Sequence, residues 1–170
     1  CYIHALDVAP DGTVYAAGQF EDSLDLDPGL GMEIHHSSGM FIRYDAFLVA
    51  LDANGNYRWG GTWGGAEADF AKGIDVNGDQ VTVISQIADS IDLDLGPGVS
   101  WYMTPSASVK EMLFLTLDTA GNGRWAKILS TKSVMQYGTL NSDAYGNLYA
   151  TSQFDGQLDA DPGAGTDLLF

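Results

Sequence analysis

The chain repeats itself at an interval of 67 residues, and this repetition constrains its fold more than any other feature. The segment LDLDPG at Leu24–Gly29 returns as IDLDLG at Ile91–Gly96 and as LDADPG at Leu158–Gly163. Both aspartates of each segment keep the interval. A recurring glutamine that precedes them keeps it too, as Gln19, Gln86 and Gln153. A fixed interval of this kind indicates one structural unit copied along the chain.

The second copy predicts four main strands and a small inserted hairpin. Gln80–Gln86 (QVTVISQ) is rich in β-branched residues, and the Asn-Gly pair before it is a strong hairpin signal. The predicted main strands are 69–76, 80–86, 111–117 and 124–129. The Asp-rich segment and residues 100–103 form the inserted hairpin, between the second and third strands. Four short antiparallel strands per unit are typical of a β-propeller blade, so we predict an all-β propeller fold.

The repeat interval divides the chain into about two and a half units. We predict a first blade at residues 1–68, a second at 69–135 and a partial third at 136–170. Propellers close with ~4–8 blades, and neighbouring blades bury each other's apolar faces. We therefore expect a fragment whose partners are the rest of a larger propeller or other subunits that complete it.

The net charge limits the kinds of partner that the chain can bind, and the cysteine content limits its covalent cross-links. The net charge is −16, from 23 acidic against 7 basic residues, and such a surface repels nucleic acid and anionic lipid. No apolar run approaches the ~18 residues of a membrane span. Cys1 is the only cysteine, so an internal disulfide is impossible. It is either the lipidated cysteine of a bacterial lipoprotein or a fragment boundary, and its direct run into the repeat favours the boundary.

One repeat resembles a known family through the pattern D-x-x-G-x-x-Y-x-x-x-x-F, then D-x-D-P-G, then D-x-F-x-x-x-L-D-x-x-G-x-x-x-W. The matching residues in the first copy are Asp11-Gly12, Tyr15, Phe20, Asp25, Asp27-Pro28-Gly29, Asp45, Phe47, Leu51-Asp52, Gly55 and Trp59. This pattern resembles the SBBP-type β-propeller repeat. The resemblance implies a large secreted or surface-attached bacterial protein, often from Bacteroidota, and no defined enzymatic activity. The second copy departs from the pattern after Asp94, where Leu-Gly-Pro-Gly replaces Pro-Gly.

The paired aspartates are the strongest candidates for a chemical site. Residues two apart on a strand face the same side, and two such carboxylates can converge on Ca²⁺, which takes 6–8 oxygen ligands. The candidate ligands are Asp22, Asp25, Asp27, Asp89, Asp92, Asp94, Asp159 and Asp161. The alternative is a solvated structural motif, since edge strands carry protective charges and Asp before Pro-Gly is ordinary turn chemistry.

Aromatic and histidine residues offer further candidates. Trp59 and Trp125 recur at one blade position, which favours packing between blades over a carbohydrate platform. Trp101 and Tyr102, in the inserted hairpin, are the better candidates for a ligand-facing surface. His35-His36 can ligate a transition metal, but the second copy has no counterpart, which favours two loop histidines.

Three functions from different classes follow from these features. We expect a non-enzymatic propeller module of a secreted or cell-surface protein that acts as a scaffold or binding surface. The first alternative is an adhesion module that recognises glycan or protein with Ca²⁺ as cofactor. The second is part of a propeller hydrolase or lyase with an axial site, although no Ser/His/Asp set, phosphate loop or zinc spacing is present in the sequence.

Overall fold

The computed structural model describes residues 1–38, 44–94, 98–131 and 135–170, and all helical or extended structure in those ranges is β-strand. The strands are β1 (Tyr2–Val8), β2 (Val14–Phe20), β3 (Ser23–Asp25), β4 (Ile34–His36), β5 (Asp45–Leu51), β6 (Tyr57–Trp63), β7 (Phe70–Asn77), β8 (Gln80–Ile87), β9 (Ser90–Asp92), β10 (Trp101–Met103), β11 (Glu111–Asp118), β12 (Gly123–Leu129), β13 (Met135–Ser142), β14 (Leu148–Phe154), β15 (Leu158–Asp159) and β16 (Leu168–Leu169). The predicted all-β class is confirmed.

Two four-stranded sheets have the same topology. Sheet 1 has the order β1-β2-β5-β6 and sheet 2 the order β7-β8-β11-β12, with every neighbouring pair antiparallel. The third unit is the antiparallel pair β13-β14. Each unit carries a small hairpin after its second strand: hairpin 1 is β3-β4, hairpin 2 is β9-β10 and hairpin 3 is β15-β16. The predicted four-stranded unit with an inserted hairpin is therefore present in the first two copies.

The predicted unit boundaries fall at the gaps between these sheets or close to them. The 68/69 boundary lies between β6 and β7, whereas the 135/136 boundary falls one residue inside β13. The altered turn of the second copy, at residues 95–97, lies outside the described residues.

The Asn-Gly turn lies one residue later than the sequence suggests. Asn77 pairs with Gln80, so the two-residue turn is Gly78-Asp79. Only Gly78 has a positive φ there, at 61°, which a glycine adopts without steric cost. The side chain of Asn77 instead donates Nδ2–H bonds to Ser142 Oγ and to the carbonyl oxygen of Asp143, at 3.1 and 2.7 Å. Asn77 therefore links sheet 2 to the third unit.

A hydrophobic core fills the space between sheets 1 and 2. Tyr15 and Trp63 of sheet 1 pack with Val83 and Leu113 of sheet 2, and all four side chains are buried. The indole Nε1–H of Trp63 donates to Ser85 Oγ at 3.1 Å, so its polar group is paired across the interface. Burying each large apolar side chain contributes about 1.5–3 kcal/mol, which makes this interface a main source of stability.

A repeated hydrogen bond joins the first strand of one unit to the first strand of the next. Asp7 Oδ2 accepts the backbone N–H of Val76 at 2.7 Å, and Asp75 Oδ1 accepts that of Ser142 at 3.0 Å. Because β7 and β13 are edge strands of their sheets, one side of each backbone has no strand partner there, and a carboxylate from the preceding unit supplies an acceptor. The same hydrogen bond thus joins the first unit to the second and the second unit to the third.

Sheet 1 has an open apolar area on β1. Ile3, Leu6 and Val8 are each more than half exposed, whereas Leu26 of hairpin 1 packs on Phe47 and covers the outer part of the same sheet. Open apolar area of this kind is typical of a surface that binds a neighbour.

Candidate functional site

The first aspartate of each pair closes its hairpin in the same way in all three copies. Asp25 Oδ1 accepts the backbone N–H groups of Asp27 and Glu33, at 3.0 and 2.9 Å. Asp92 Oδ1 accepts the backbone N–H groups of Asp94 and Ser100, at 3.0 and 2.8 Å. Asp159 Oδ1 accepts those of Asp161 and Asp167, at 3.1 and 2.9 Å. An aspartate that accepts the N–H two residues later forms a local turn without help from a ligand. This bond explains why the first aspartate recurs.

The second aspartate holds the following turn in the outer copies. Asp27 and Asp161 accept the N–H groups of Gly29 and Gly163, each at 2.7 Å. A Cβ atom at Gly31 would lie 2.0 Å from Asp27 Oδ2, so the close approach there requires glycine. The carboxylates are therefore part of the loop's own hydrogen bonding.

Asp22 and Asp89 recur for a backbone reason. Their φ angles are 64° and 59°, in the left-handed region that few residues other than glycine adopt readily. The third copy has Gly156 at this place, with φ at 76°. A positive φ is what these three positions share.

Within the described ranges, no group of three or more His, Cys, Asp or Glu residues is placed to hold a metal ion. The two histidines of β4 diverge, because alternate residues of a strand face opposite sides. His35 Nδ1 lies 3.1 Å from Thr62 Oγ1 on sheet 1, whereas His36 faces solvent. Calcium at the paired aspartates remains a prediction that calorimetry can test.

We expect millimolar Ca²⁺ to raise the melting temperature, and a chelator to lower it, beyond the effect of a monovalent salt at equal ionic strength. Binding at a hundredfold excess over the dissociation constant stabilises the fold by about 2.7 kcal/mol. Asp25→Asn with Asp27→Asn removes one hairpin's share of the gain, because an amide oxygen still accepts the turn N–H but carries no charge. If calorimetry detects no heat of binding and the chelator has no effect, the aspartates only form turns.

The tryptophans of sheets 1 and 2 differ in their surroundings. Trp59 Nε1–H donates to the carbonyl oxygen of Thr119, at 2.9 Å, in the turn between β11 and β12 of the neighbouring sheet. A Cβ at Gly121 would lie 2.8 Å from the Trp59 ring, so this turn packs closely over the indole. Trp59 therefore packs between two units, as its recurrence in the sequence led us to expect. Trp125 holds the same place in sheet 2 and is 37% exposed.

The two aromatic residues of β10 face opposite sides. Tyr102 faces sheet 2, where its hydroxyl donates to Glu111 Oε2 at 2.6 Å. Burial is the largest of the causes that raise the pKa of Tyr102 to about 12, and the Glu111 carboxylate is the second. Trp101 faces solvent and is 68% exposed. Of the two predicted ligand-facing residues, the structure presents Trp101 to solvent and uses Tyr102 to anchor hairpin 2.

The exposed face of the second strand recurs in every hairpin. Ile34, Trp101 and Leu168 occupy equivalent positions 67 residues apart, and each is more than two-fifths exposed. The next outward positions are His36, Met103 and Phe170. We call these six residues the hairpin row. The sequence signal was the interval combined with the two-residue alternation of a strand, and it was missed because the residue types differ between copies.

No family model and no curated protein matches this chain. Among the described residues, no helix is long and apolar enough to cross a membrane. The structure defines an all-β protein of repeated antiparallel sheets, each with a hairpin after its second strand.

Proposed function

We propose that the chain is a β-propeller module of the SBBP type, from a secreted or cell-surface protein. The repeated bond from Asp7 to Val76 and from Asp75 to Ser142 supports a propeller, because a ring of blades requires the same relation between each pair of successive units. The shared core of sheets 1 and 2 supports it further, since propeller blades pack face to face.

Within this proposal the module is non-enzymatic and binds a protein partner through the hairpin row. This proposal rests on one observation: the side chains at three equivalent positions are apolar and exposed to solvent, namely Ile34, Trp101 and Leu168. The first aspartate of each pair lies directly across the hairpin from one of these residues, at the turn end, and adds negative charge beside it. An apolar surface with acidic neighbours is complementary to a protein segment that carries basic and apolar side chains.

The test is a panel of peptides selected from a random library for binding to the 170-residue chain. We expect the selected peptides to be rich in basic and apolar residues. Trp101→Ala should weaken their binding about 30-fold, because exposed tryptophans that become buried on binding are typical hot spots worth about 2 kcal/mol or more.

The matched control is Tyr145→Ala, which removes another exposed aromatic ring from the turn between β13 and β14. It should leave peptide affinity unchanged. Peptides that bind both variants equally well would contradict the hairpin row as the binding surface. Binding to a glycan array that requires Ca²⁺ and disappears with a chelator would favour the adhesion alternative instead.

A further inference from the structure

A cavity of about 410 Å³ lies between hairpin 2 and the outer strands of sheet 2. Leu93, Leu115 and Ala126 supply its apolar lining, while Asp94 and Ser100 supply a carboxylate and a hydroxyl group. Every residue that lines it belongs to the second unit. Volumes of about 300–1,000 Å³ are typical of small-molecule sites, so the cavity is large enough for one substituted ring.

The hairpins of the first two units match residue for residue beside this cavity. The backbone N–H of Leu26 donates to the carbonyl oxygen of Glu33, and that of Leu93 donates to the carbonyl oxygen of Ser100, both at 2.9 Å. Leu26 and Glu33 are also 67 residues before Leu93 and Ser100. The two leucines are therefore counterparts, and so are Glu33 and Ser100.

The sheets match in the same way, but with a tyrosine in one and a glycine in the other. Tyr57 pairs with Leu51, and Gly123 pairs with Leu117, and in both sheets a register shift comes directly before this pair. The Tyr57 ring packs on the apolar cluster that contains Leu26. A Cβ atom at Gly123 would meet no other atom within 4 Å. The cavity of the second unit thus corresponds to the place of the Tyr57 ring in the first.

The surroundings of the Tyr57 hydroxyl indicate which polar groups a ligand would meet. Burial first, and then the negative charges of Glu33 and Asp27, raise the pKa of Tyr57, so both carboxylates lie near its hydroxyl. Their counterparts at the 67-residue interval are Ser100 and Asp94, which line the cavity and are exposed at its rim. A hydroxyl group inside the cavity can therefore donate to a carboxylate oxygen there.

We propose that this cavity binds the ring of a para-substituted phenol, in the place that the Tyr57 ring takes in the first unit. The ring packs on Leu93 and Ala126, and its hydroxyl group donates to Asp94. The para substituent leaves the cavity past Gly123, because this is the strand position from which Tyr57 projects. The ring belongs to a free phenol or to a tyrosine of a partner protein. The inference goes beyond the proposed function and does not depend on the hairpin row.

The probe is p-cresol, titrated into the ¹⁵N-labelled 170-residue chain. We expect saturable shifts of the amide resonances of Leu93, Ser100 and Ala126, with one molecule bound per chain. Toluene has the same shape without the hydroxyl group and should bind about tenfold more weakly, because it leaves the carboxylate without a donor. N-acetyltyrosinamide distinguishes the two sources of the ring. Binding as tight as that of p-cresol, or tighter, indicates a tyrosine of a partner, and weaker binding indicates a free phenol.

The decisive variant is Gly123→Tyr, which fills the cavity from the position of Tyr57 and should weaken p-cresol binding about tenfold or more. Ala126→Met fills the same space from the sheet and keeps Gly123, so it provides the same test if the first variant does not fold. Lys127→Tyr is the matched control. It adds the same ring to β12 at an exposed position, on the face opposite Ala126, and should leave the affinity unchanged.

Three results would overturn the proposal. The first is the absence of saturable shifts at these amides, and the second is equal p-cresol affinity in the parent chain and in the cavity-filling variants. The third is toluene binding as tight as that of p-cresol, because it would show that no hydroxyl contact is made. Trp101→Ala should leave p-cresol binding unchanged, so the failure of this proposal is distinguishable from failure of the hairpin row.

Discussion

Replacing Trp63 by alanine is expected to lower the free energy of unfolding by about 3–5 kcal/mol, the usual cost of removing a large buried aromatic side chain. Trp63 is 3% exposed and lies between the two complete sheets. The truncation leaves a cavity and also deprives Ser85 Oγ of its indole donor. A domain is stable by only about 5–15 kcal/mol, so the variant loses a large fraction of its stability.

Urea denaturation followed by circular dichroism measures this loss, with Trp101→Ala as the control. Trp101 is exposed, and its truncation should change stability by less than about 0.5 kcal/mol. Ser85→Ala separates packing from hydrogen bonding, because it keeps the indole but removes its acceptor, at a cost of about 1–3 kcal/mol. Equal effects of Trp63→Ala and Trp101→Ala would show that the core between the sheets contributes little to stability.

Stability is expected to fall as the pH rises from about 5 to 8, chiefly because of Asp69. This carboxyl is fully buried, and burial raises its pKa to about 8 from an ordinary value of 3.8. Between those values the folded state holds a proton that the unfolded state releases, so raising the pH favours unfolding. Each unit of pKa difference corresponds to about 1.4 kcal/mol, which makes the expected loss a few kcal/mol.

Neighbouring groups set the range in which this effect is clearest. Asp45 and Lys110 act electrostatically on Asp69, the first raising and the second lowering its pKa. Burial also raises the pKa of Asp45 and of Glu111, and both shifts act in the same direction as that of Asp69. Burial lowers the pKa of Lys72 to about 8, so Lys72 adds stability only as the pH rises beyond that value.

The exposed turn aspartates act at the opposite end of the pH scale. Bonds from Asn56, Asn122 and Asn147 hold the pKa values of Asp52, Asp118 and Asp143 below the ordinary 3.8. Their contribution is present above that value and is lost as the pH falls through their folded pKa values. Stability should therefore be greatest near the ordinary aspartate pKa of 3.8, because the turn aspartates lose their contribution below it and Asp69 loses its contribution progressively above it.

Asp69→Asn tests the assignment of the pH dependence. The amide oxygen can still accept the N–H of Ala88, while the amide nitrogen cannot accept that of Gly65, so a constant cost is expected. The slope of unfolding free energy between pH 5 and 8 should become much smaller. Asp25→Asn, in an exposed turn, should retain the slope of the parent chain. An unchanged slope in Asp69→Asn would show that other groups carry the pH dependence.

The strands, their order and the inserted hairpins could be predicted from the sequence, because each depends on neighbours within one unit. β-branched runs, turn glycines and the 67-residue interval are local signals, and they placed β8 and β11 within one residue of their observed bounds. The recurrence of Asp25 was equally visible. Its role was not, since a carboxylate that closes a turn and one that binds a cation have the same sequence pattern.

The contacts between units were decided only by the tertiary structure. The acceptor of the Trp59 indole is 60 residues away, and the backbone N–H that Asp7 accepts is 69 residues away. Which atoms meet at such distances depends on how one sheet is placed on the next, and residue types do not encode that placement. The same holds for β10, where packing on sheet 2 directs Tyr102 to Glu111 and leaves Trp101 in solvent. Local hydrogen bonding can be inferred from the sequence, whereas packing between sheets determines which face of a strand is exposed.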